Sequence, residues 1–414
     1  MPSSNSSLPA LNPPVLVPQV EAALRRFVAW LERHGETSYD HQSFFAGRWG
    51  GRAKALYYRH RLLGTAAVAP MIFAEALVPS ARRLFHQRTR FPIADAHYAM
   101  GFAFLHQSTG EGQYLHRAIH FLEELKASRS LGYAEYAWGY PFDWVTRNGV
   151  ITAQTPLITT TPYVYEAFLQ VSRLDNRPEW PEITRSIVRH ALTDFKDFPT
   201  SASASTCSYT PFDRGGVINA AAYRAFLLTS AARELGEEAC APVAERNLAF
   251  VLENQNADGS WPYAVDGVRD FVDHFHTCFV MKALAKIHTF TGNPRILAAL
   301  EQGVAYYLAN LFAEDGLPRP FSKAPRLTVY ERELYDCAEC INLCLLLRER
   351  FPVLNETLEV VVSGILRDWI KPDGAFRARK LKFGWDNVPM HRWAQSQMFR
   401  ALAFYLRDFR HETA

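Results

Sequence analysis

The chain has 414 residues, 48% of them hydrophobic and 21% charged, with a formal net charge of +3. Such a balance describes a well-buried globular protein and excludes the disordered class. The weak, evenly spread positive charge excludes a nucleic-acid binder built on a basic stripe, and no run of about 18 apolar residues offers a membrane span.

Residues 1–16 read as a disordered leader, lacking the basic stretch and apolar run of a secretory signal. Residues 17–414 are expected to form one domain, beginning with a helix near 17–34. The six cysteines make no evident disulfide framework, which points to a reduced, cytoplasmic setting. Cys337, Cys340 and Cys344 share one helix face. A core stripe is preferred there over metal binding, because buried free cysteine packs as a small hydrophobe. No metal or cofactor is expected.

The stretch "ENQNADGSWPY", residues 253–263, introduces a repeat. Asp258-Gly259, Asp315-Gly316 and Asp373-Gly374 are 57 and 58 residues apart, and each follows an amphipathic run and precedes a loop and a more apolar run. First helices of such hairpins are expected near 66–86, 115–127, 180–195, 239–255, 294–311 and 354–370. The second helices align on "HYAMGFAFL", "TPYVYEAFL", "NAAAYRAFL", "TCFVMKALA", "ECINLCLLL" and "QSQMFRALA", led by His97, Thr161, Asn219, Thr277, Glu339 and Gln395. Six polar residues at matched positions of apolar helices read as an inner ring around a common cavity. Antiparallel helix pairs stacked in a closed ring bury every lateral face. The expected fold is therefore an all-α (α/α)6 toroid with an extra N-terminal helix.

Connections from inner to outer helices are short, whereas 128–158, 196–216, 257–272, 313–333 and 372–389 are long and all enter at the N-termini of inner helices. Long loops in a compact domain are usually functional, so that face is the expected site. It carries Trp138, Tyr140, Trp144, Trp261, Tyr263 and Trp385, flat rings on which sugars can stack, with welding of the loops as the plainer alternative. It also carries Arg147, Arg214, Arg269, Lys323, Arg326, Arg332, Arg377, Arg379, Lys380, Lys382 and Arg392 beside six positive helix ends, which favours an anionic ligand. One turn above the polar ring lie Asp273 and His274, Tyr335 and Asp336, and His391 and Arg392. Carboxylate, imidazole and phenol together are the parts of acid–base catalysis, while helix capping is the alternative for each. His276 is placed about 100° off this face and ranked below His274.

This plan resembles the glycan-active toroids: six-hairpin glycosidases, unsaturated-glucuronyl hydrolases, sugar 2-epimerases, uronate lyases and glucuronyl epimerases. The resemblance implies either hydrolysis by Asp273 with Asp336 or Glu339, or proton removal beside a uronate carboxylate by Tyr335, His274 or His391 with Arg392. "FVLENQNADGSW" resembles the QW repeat of triterpene cyclases, and "DFVDHFHTCFVMKAL" is similar to an inner helix of protein prenyltransferase β-subunits. Neither the Asp-x-Asp-Asp acid of the cyclases nor the Asp-x-Cys zinc pair of the transferases occurs in the sequence. The favoured expectation is an enzyme of polysaccharide biosynthesis or turnover acting on an anionic saccharide, an epimerase or lyase ahead of a glycosidase. A terpenoid cyclase-like enzyme and a non-catalytic saccharide-binding toroid are the alternatives, and a homodimer is left open.

Overall fold

A computed structural model describes residues 13–325 and 328–413. Residues 1–12 of the expected leader, and Arg326 among the expected cations, lie outside the described residues. In chain order the helices are α1 (Pro13–His34), α2 (Ser43–Ala46), α3 (Arg48–Arg59), α4 (Arg61–Leu77), α5 (Pro92–Thr109), α6 (Gly112–Ala127), α7 (Thr161–Ser172), α8 (Glu179–Thr193), α9 (Ile218–Glu234), α10 (Ala241–Glu253), α11 (His274–Thr291), α12 (Pro294–Asn310), α13 (Leu334–Leu347), α14 (Leu354–Gly364) and α15 (Ser396–Thr413). Residues 13–16 thus belong to the first helix rather than to a leader.

Local chemistry sets these boundaries. α5 and α11 end on Gly110 and Gly292, both in the left-handed conformation that spares glycine a Cβ clash. Asn293 and Pro294 then restart the chain as N-cap and first residue of α12, the Asn293 side chain accepting from the Arg295 N–H. A two-residue link therefore suffices to reverse direction.

The inner helices α5, α7, α9, α11, α13 and α15 pack each against the next, and α15 packs on α5, closing the ring. α6, α8, α10, α12 and α14 form the outer wall, and α1 completes it against α15. Leu16, Val20, Leu24, Phe27 and Leu31 recur at helical spacing along α1 and are buried. Phe27 meets Trp30, Tyr98, Phe376 and Phe399, and each large side chain buried this way contributes about 1.5–3 kcal/mol. The architecture is the expected (α/α)6 toroid with one correction. α1 is the sixth outer helix rather than an extra one, and 66–86 is no outer helix: it falls in α4 and a 3-10 turn, within a connection that pairs α4 with α3.

The Asp-Gly turns show why the ring closes this way. A Cβ on Gly259 would lie 2.4 Å from the Gln302 carbonyl oxygen of α12, and one on Gly374 would lie 2.5 Å from the Arg26 carbonyl oxygen of α1. Each turn leans on the next outer helix, and the last leans on α1. Trp261 is part of this device: it is buried, its indole N–H donates to the Val251 carbonyl at 3.0 Å, and its ring lies against Gly303. The Gln255 amide donates to the carbonyls of Gly259 and Ala299, tying one outer helix to its neighbour.

The six cysteines are free and buried, as a core stripe requires. No helix among the described residues is long and apolar enough to cross a membrane.

Candidate active site

All six outer-to-inner connections reach the same end of the toroid, the first being 35–91. Short strands join one connection to the next. β1 (Val272–Asp273) pairs with β2 (Phe321–Lys323), and β3 (Tyr330–Glu333) pairs with β4 (Arg379–Leu381) and through it with β5 (Trp385–Asp386). A bridge between Val217 and Ala264, and the Ile158 N–H donating to the Tyr209 carbonyl, extend the stitching. The rim is a hydrogen-bonded collar, which fixes the side chains it carries.

Inside the collar lies an aromatic bowl. Tyr263 stacks on Phe271 at 4.8 Å between ring centroids and meets the edge of His276 at 4.6 Å. Phe275 stacks on Tyr335 at 4.9 Å, and Tyr335 lies parallel to Trp393 at 5.9 Å. The Arg392 guanidinium sits 3.8 Å from the Trp393 ring and 4.6 Å from that of Tyr140, which leads on to Trp144. His276 is the imidazole with an opening in this bowl, its side chain 22% exposed. Asp273, the N-cap of α11, accepts the His276 backbone N–H at 3.0 Å on one oxygen and the His276 Nδ1 at 2.6 Å on the other. A carboxylate only accepts, so Nδ1 is the nitrogen that donates here, and Nε2 is the one not engaged by Asp273.

Beneath the bowl, one side chain from each inner helix forms a floor: His97, Tyr163, Tyr223, Phe279, Glu339 and Arg400. His97 and Tyr163 are 4.5 Å apart, the Tyr163 and Tyr223 hydroxyls are 2.6 Å apart, and Tyr223 meets Phe279 at 5.2 Å. Glu339 pairs with Lys282, and Arg400 approaches His97 Nδ1 at 3.3 Å. Burial, with Arg400 and Lys282 nearby, drives the His97 imidazole well below its usual range, so it is neutral. Burial, then Glu339, raises the Tyr335 phenol well above its usual range, so it keeps its proton.

A buried charged girdle ties the collar to the connection 35–91. Arg82 pairs with Glu75 and, at 2.6 Å, with Asp386. Arg379 pairs with Glu333 at 2.6 Å and Glu75 at 3.3 Å, and His41 stands 3.4 Å from both Glu333 and Asp386. The Asp386 and Glu333 carboxyls are held well below the usual range by Arg82 and Arg379 respectively, against the opposing effect of burial. His41, Glu75 and Asp386 could together offer atoms to a cation, but the two guanidiniums already neutralise these carboxylates.

The positions expected from the sequence divide sharply. Tyr140, Trp144, Tyr263, Tyr335 and Arg392 meet in or beside the bowl, and His97 and Glu339 are in the floor. Asn219 is buried, its carbonyl oxygen without a hydrogen-bond partner among the described residues. The other expected ring members are not there. Thr161 and Thr277 donate to the Leu157 and Asp273 carbonyls of their own preceding turns, and the Gln395 amide is spent on both backbone groups of Phe376. His274 is fully buried on the far side of α11: Nδ1 donates to the Leu311 carbonyl and Nε2 accepts from the Tyr307 hydroxyl. His391 is likewise enclosed, accepting from Tyr98 on Nδ1 and donating to the Gly35 carbonyl from Nε2. Burial pushes both imidazoles down to about 3.

Asp336 is fully buried, and burial with Glu333 and Asp273 nearby raises its carboxyl well above the usual range. Trp138 and Trp261 face outer helices; the Trp138 indole donates to the Leu125 carbonyl at 2.8 Å. Trp385 meets Trp369 edge-on and carries Arg377 and Lys380 over its ring. Arg214 is exposed, and Arg332 is paired with Asp315 at 2.6 Å. Arg269, Lys323 and Arg392 also have carboxylate partners, in Asp266, Asp270 and Asp40. With Arg379, five of the ten described cations expected at this face thus stand against carboxylates.

Sequence reasoning ranked His276 too low, below His274, and missed Trp393, Lys282, Arg400 and, Arg379 apart, the girdle. The axis-facing stripe of α11 is Phe275, Phe279, Lys282 and Lys286, spaced i, i+4, i+7 and i+11. Aligning on Thr277 selected the opposite face.

No family model matches the chain, and no curated protein does. Solved structures do match its fold. A cellobiose 2-epimerase from Bacillus thermoamylovorans superposes with a TM-score of 0.61 at 10% identity, covering 78% of this chain and 88% of that one. A GH76 α-mannanase from Bacteroides thetaiotaomicron gives 0.56 at 10% identity, covering 78% and 86%. A polysaccharide lyase gives 0.54 at 10% identity, covering 77% and 90%. The chain shares the (α/α)6 toroid with these proteins, and function lives in the site rather than in the fold.

Proposed function

We propose that the protein is a saccharide-modifying enzyme that works by proton transfer at a ring carbon, as an epimerase, isomerase or lyase. The observation that carries this reading is the His276–Asp273 pair opening into an aromatic bowl. Asp273 fixes the ring and its tautomer, and Nε2 is the base that removes a proton next to a carbonyl or carboxylate. Tyr335, held neutral, is the candidate donor to the oxygen on which charge develops, and Tyr140, Trp144, Tyr263 and Trp393 supply stacking surfaces.

A glycosidase needs two carboxyls free to act across one bond. The carboxyls expected to serve are engaged: Asp273 by His276, Glu339 by Lys282, while Asp336 is sealed from solvent. An isoprenoid site would want an apolar hollow, whereas this axis is lined with paired charges. A uronate is one member of the substrate class rather than its requirement, because Arg392 already faces Asp40.

The test is incubation with neutral and uronate-containing oligosaccharides in deuterated water, read by NMR. Deuterium entering a ring carbon, with inversion or with a new double bond, supports the reading. Release of reducing ends without exchange overturns it in favour of hydrolysis, and saturable binding without turnover overturns it in favour of a binding toroid.

A further inference from the structure

The connection 35–91 contains a helical hairpin that lies against residues 144–146 of the next connection along one side of α3 and turns α4 outward. Within α3 and α4 the buried residues are Gly50, Gly64 and Glu75, while Leu62 is 89% exposed and Phe73 64%. Trp49, Leu63, Leu77 and Val78 are exposed as well. At 100° per residue, Leu62, Phe73 and Leu77 fall within about 60° of one another on α4, forming an apolar stripe turned to solvent. Scattered exposed hydrophobes need no explanation, but a contiguous run of them on one element does.

Charge says what kind of surface covers it. From His41 to Ala74 the chain has no Asp or Glu, yet it carries Arg48, Arg52, Lys54, Arg59 and Arg61. The next carboxylate, Glu75, is turned inward to Arg82, so it takes no negative charge to the outer face. A second copy of the same hairpin would bring like charges together. A basic helix pair with exposed Trp, Leu and Phe matches the chemistry of an anionic bilayer surface, where apolar side chains enter the headgroup boundary and cations meet lipid phosphates. α4 has 17 residues with Pro70 inside, and no described helix can span a bilayer. The hairpin can lie on a membrane but not cross it.

The geometry points to the α3–α4 hairpin as a docking element for anionic lipid membranes. Its attachment is rigid: a Cβ on Gly64 would fall 2.0 Å from Tyr57 Cα, so the two helices touch backbone to backbone, and Glu75 and Arg82 bolt its base to Asp386 in the collar. Docking there holds the toroid at a fixed attitude to the lipid surface.

The test is co-sedimentation of the full chain with vesicles of phosphatidylcholine alone or mixed with phosphatidylglycerol. Binding is expected only to the mixed vesicles, with loss in high salt. Arg59→Gln and Arg61→Gln should each weaken it roughly fivefold, and Leu62→Glu with Phe73→Glu should abolish it while the thermal transition stays in place. Failure to sediment, or equal binding to both vesicle types, overturns the proposal. A concentration-dependent dimer in sedimentation velocity that Leu62→Glu dissolves also overturns it, assigning the surface to a second copy.

Discussion

His276 and His391 stand within a turn of the start of two inner helices, on the same end of the toroid, and the structure treats them in opposite ways. His276 gives one nitrogen to Asp273 and leaves the other toward a partly open bowl. His391 has both nitrogens satisfied by Tyr98 and Gly35 and is sealed between α1 and α5. The residue type and its helical position are shared, so neither marks a reactive group. What separates the two is whether packing leaves a nitrogen unfilled.

Substitution can break that contrast. His276→Gln should lower turnover by about 10²–10⁴-fold, measured as initial rate on whichever saccharide shows exchange, with the thermal midpoint unmoved. Equal loss of rate and stability would place His276 with the structural residues. His391→Ala should do the reverse, costing about 2–4 kcal/mol in urea denaturation through a cavity and two stranded hydrogen-bond partners, while the folded fraction keeps its activity.

Acid sharpens the contrast further. His274 and His391 have folded values near 3 against 6.5 for the free side chain. Between these values the unfolded chain binds more protons, so stability is present above about pH 6.5 and lost as pH falls. At pH 5 each group should cost about 2 kcal/mol, and His274→Gln should flatten the dependence of the urea midpoint on pH. An unchanged slope would show that this imidazole is not buried neutral. The smallest effect is expected at Thr277, whose hydroxyl serves only the turn before it. Thr277→Ala should cost about 0.5–1.5 kcal/mol and leave turnover alone, and a large loss of rate would restore it to the site.

The sequence carried the toroid because its signals were repetitive and redundant: three Asp-Gly turns, six small-residue helices and an asymmetry of loop lengths. It failed on α1 because the amphipathic run 17–34 is followed by Gly35-Glu36 rather than by an Asp-Gly turn, so it lacks the mark of the other repeats. Within the site, Tyr140, Tyr263, Tyr335 and Arg392 were legible as aromatic or cationic loop-end residues. His276 was not, since its angle was counted from the face of His274 and Thr277, which the structure spends on the Leu311 and Asp273 carbonyls rather than on the site. The girdle of Glu75, Arg82, Glu333, Arg379 and Asp386 was illegible because its members lie up to 311 positions apart and belong to no periodic pattern. Trp138 and Trp261 misled in the other direction, being conspicuous in sequence and consumed by outer-wall packing.

The clasp between Gly374 and α1 bears on how the molecule is made. An outer helix from the start of the chain packs on an inner helix from its end, so a polypeptide emerging in order exposes the flank of α5 until α15 has been synthesised. Ring closure is thus a late event in translation, and truncation before α15 should leave an open arc whose floor lacks Arg400.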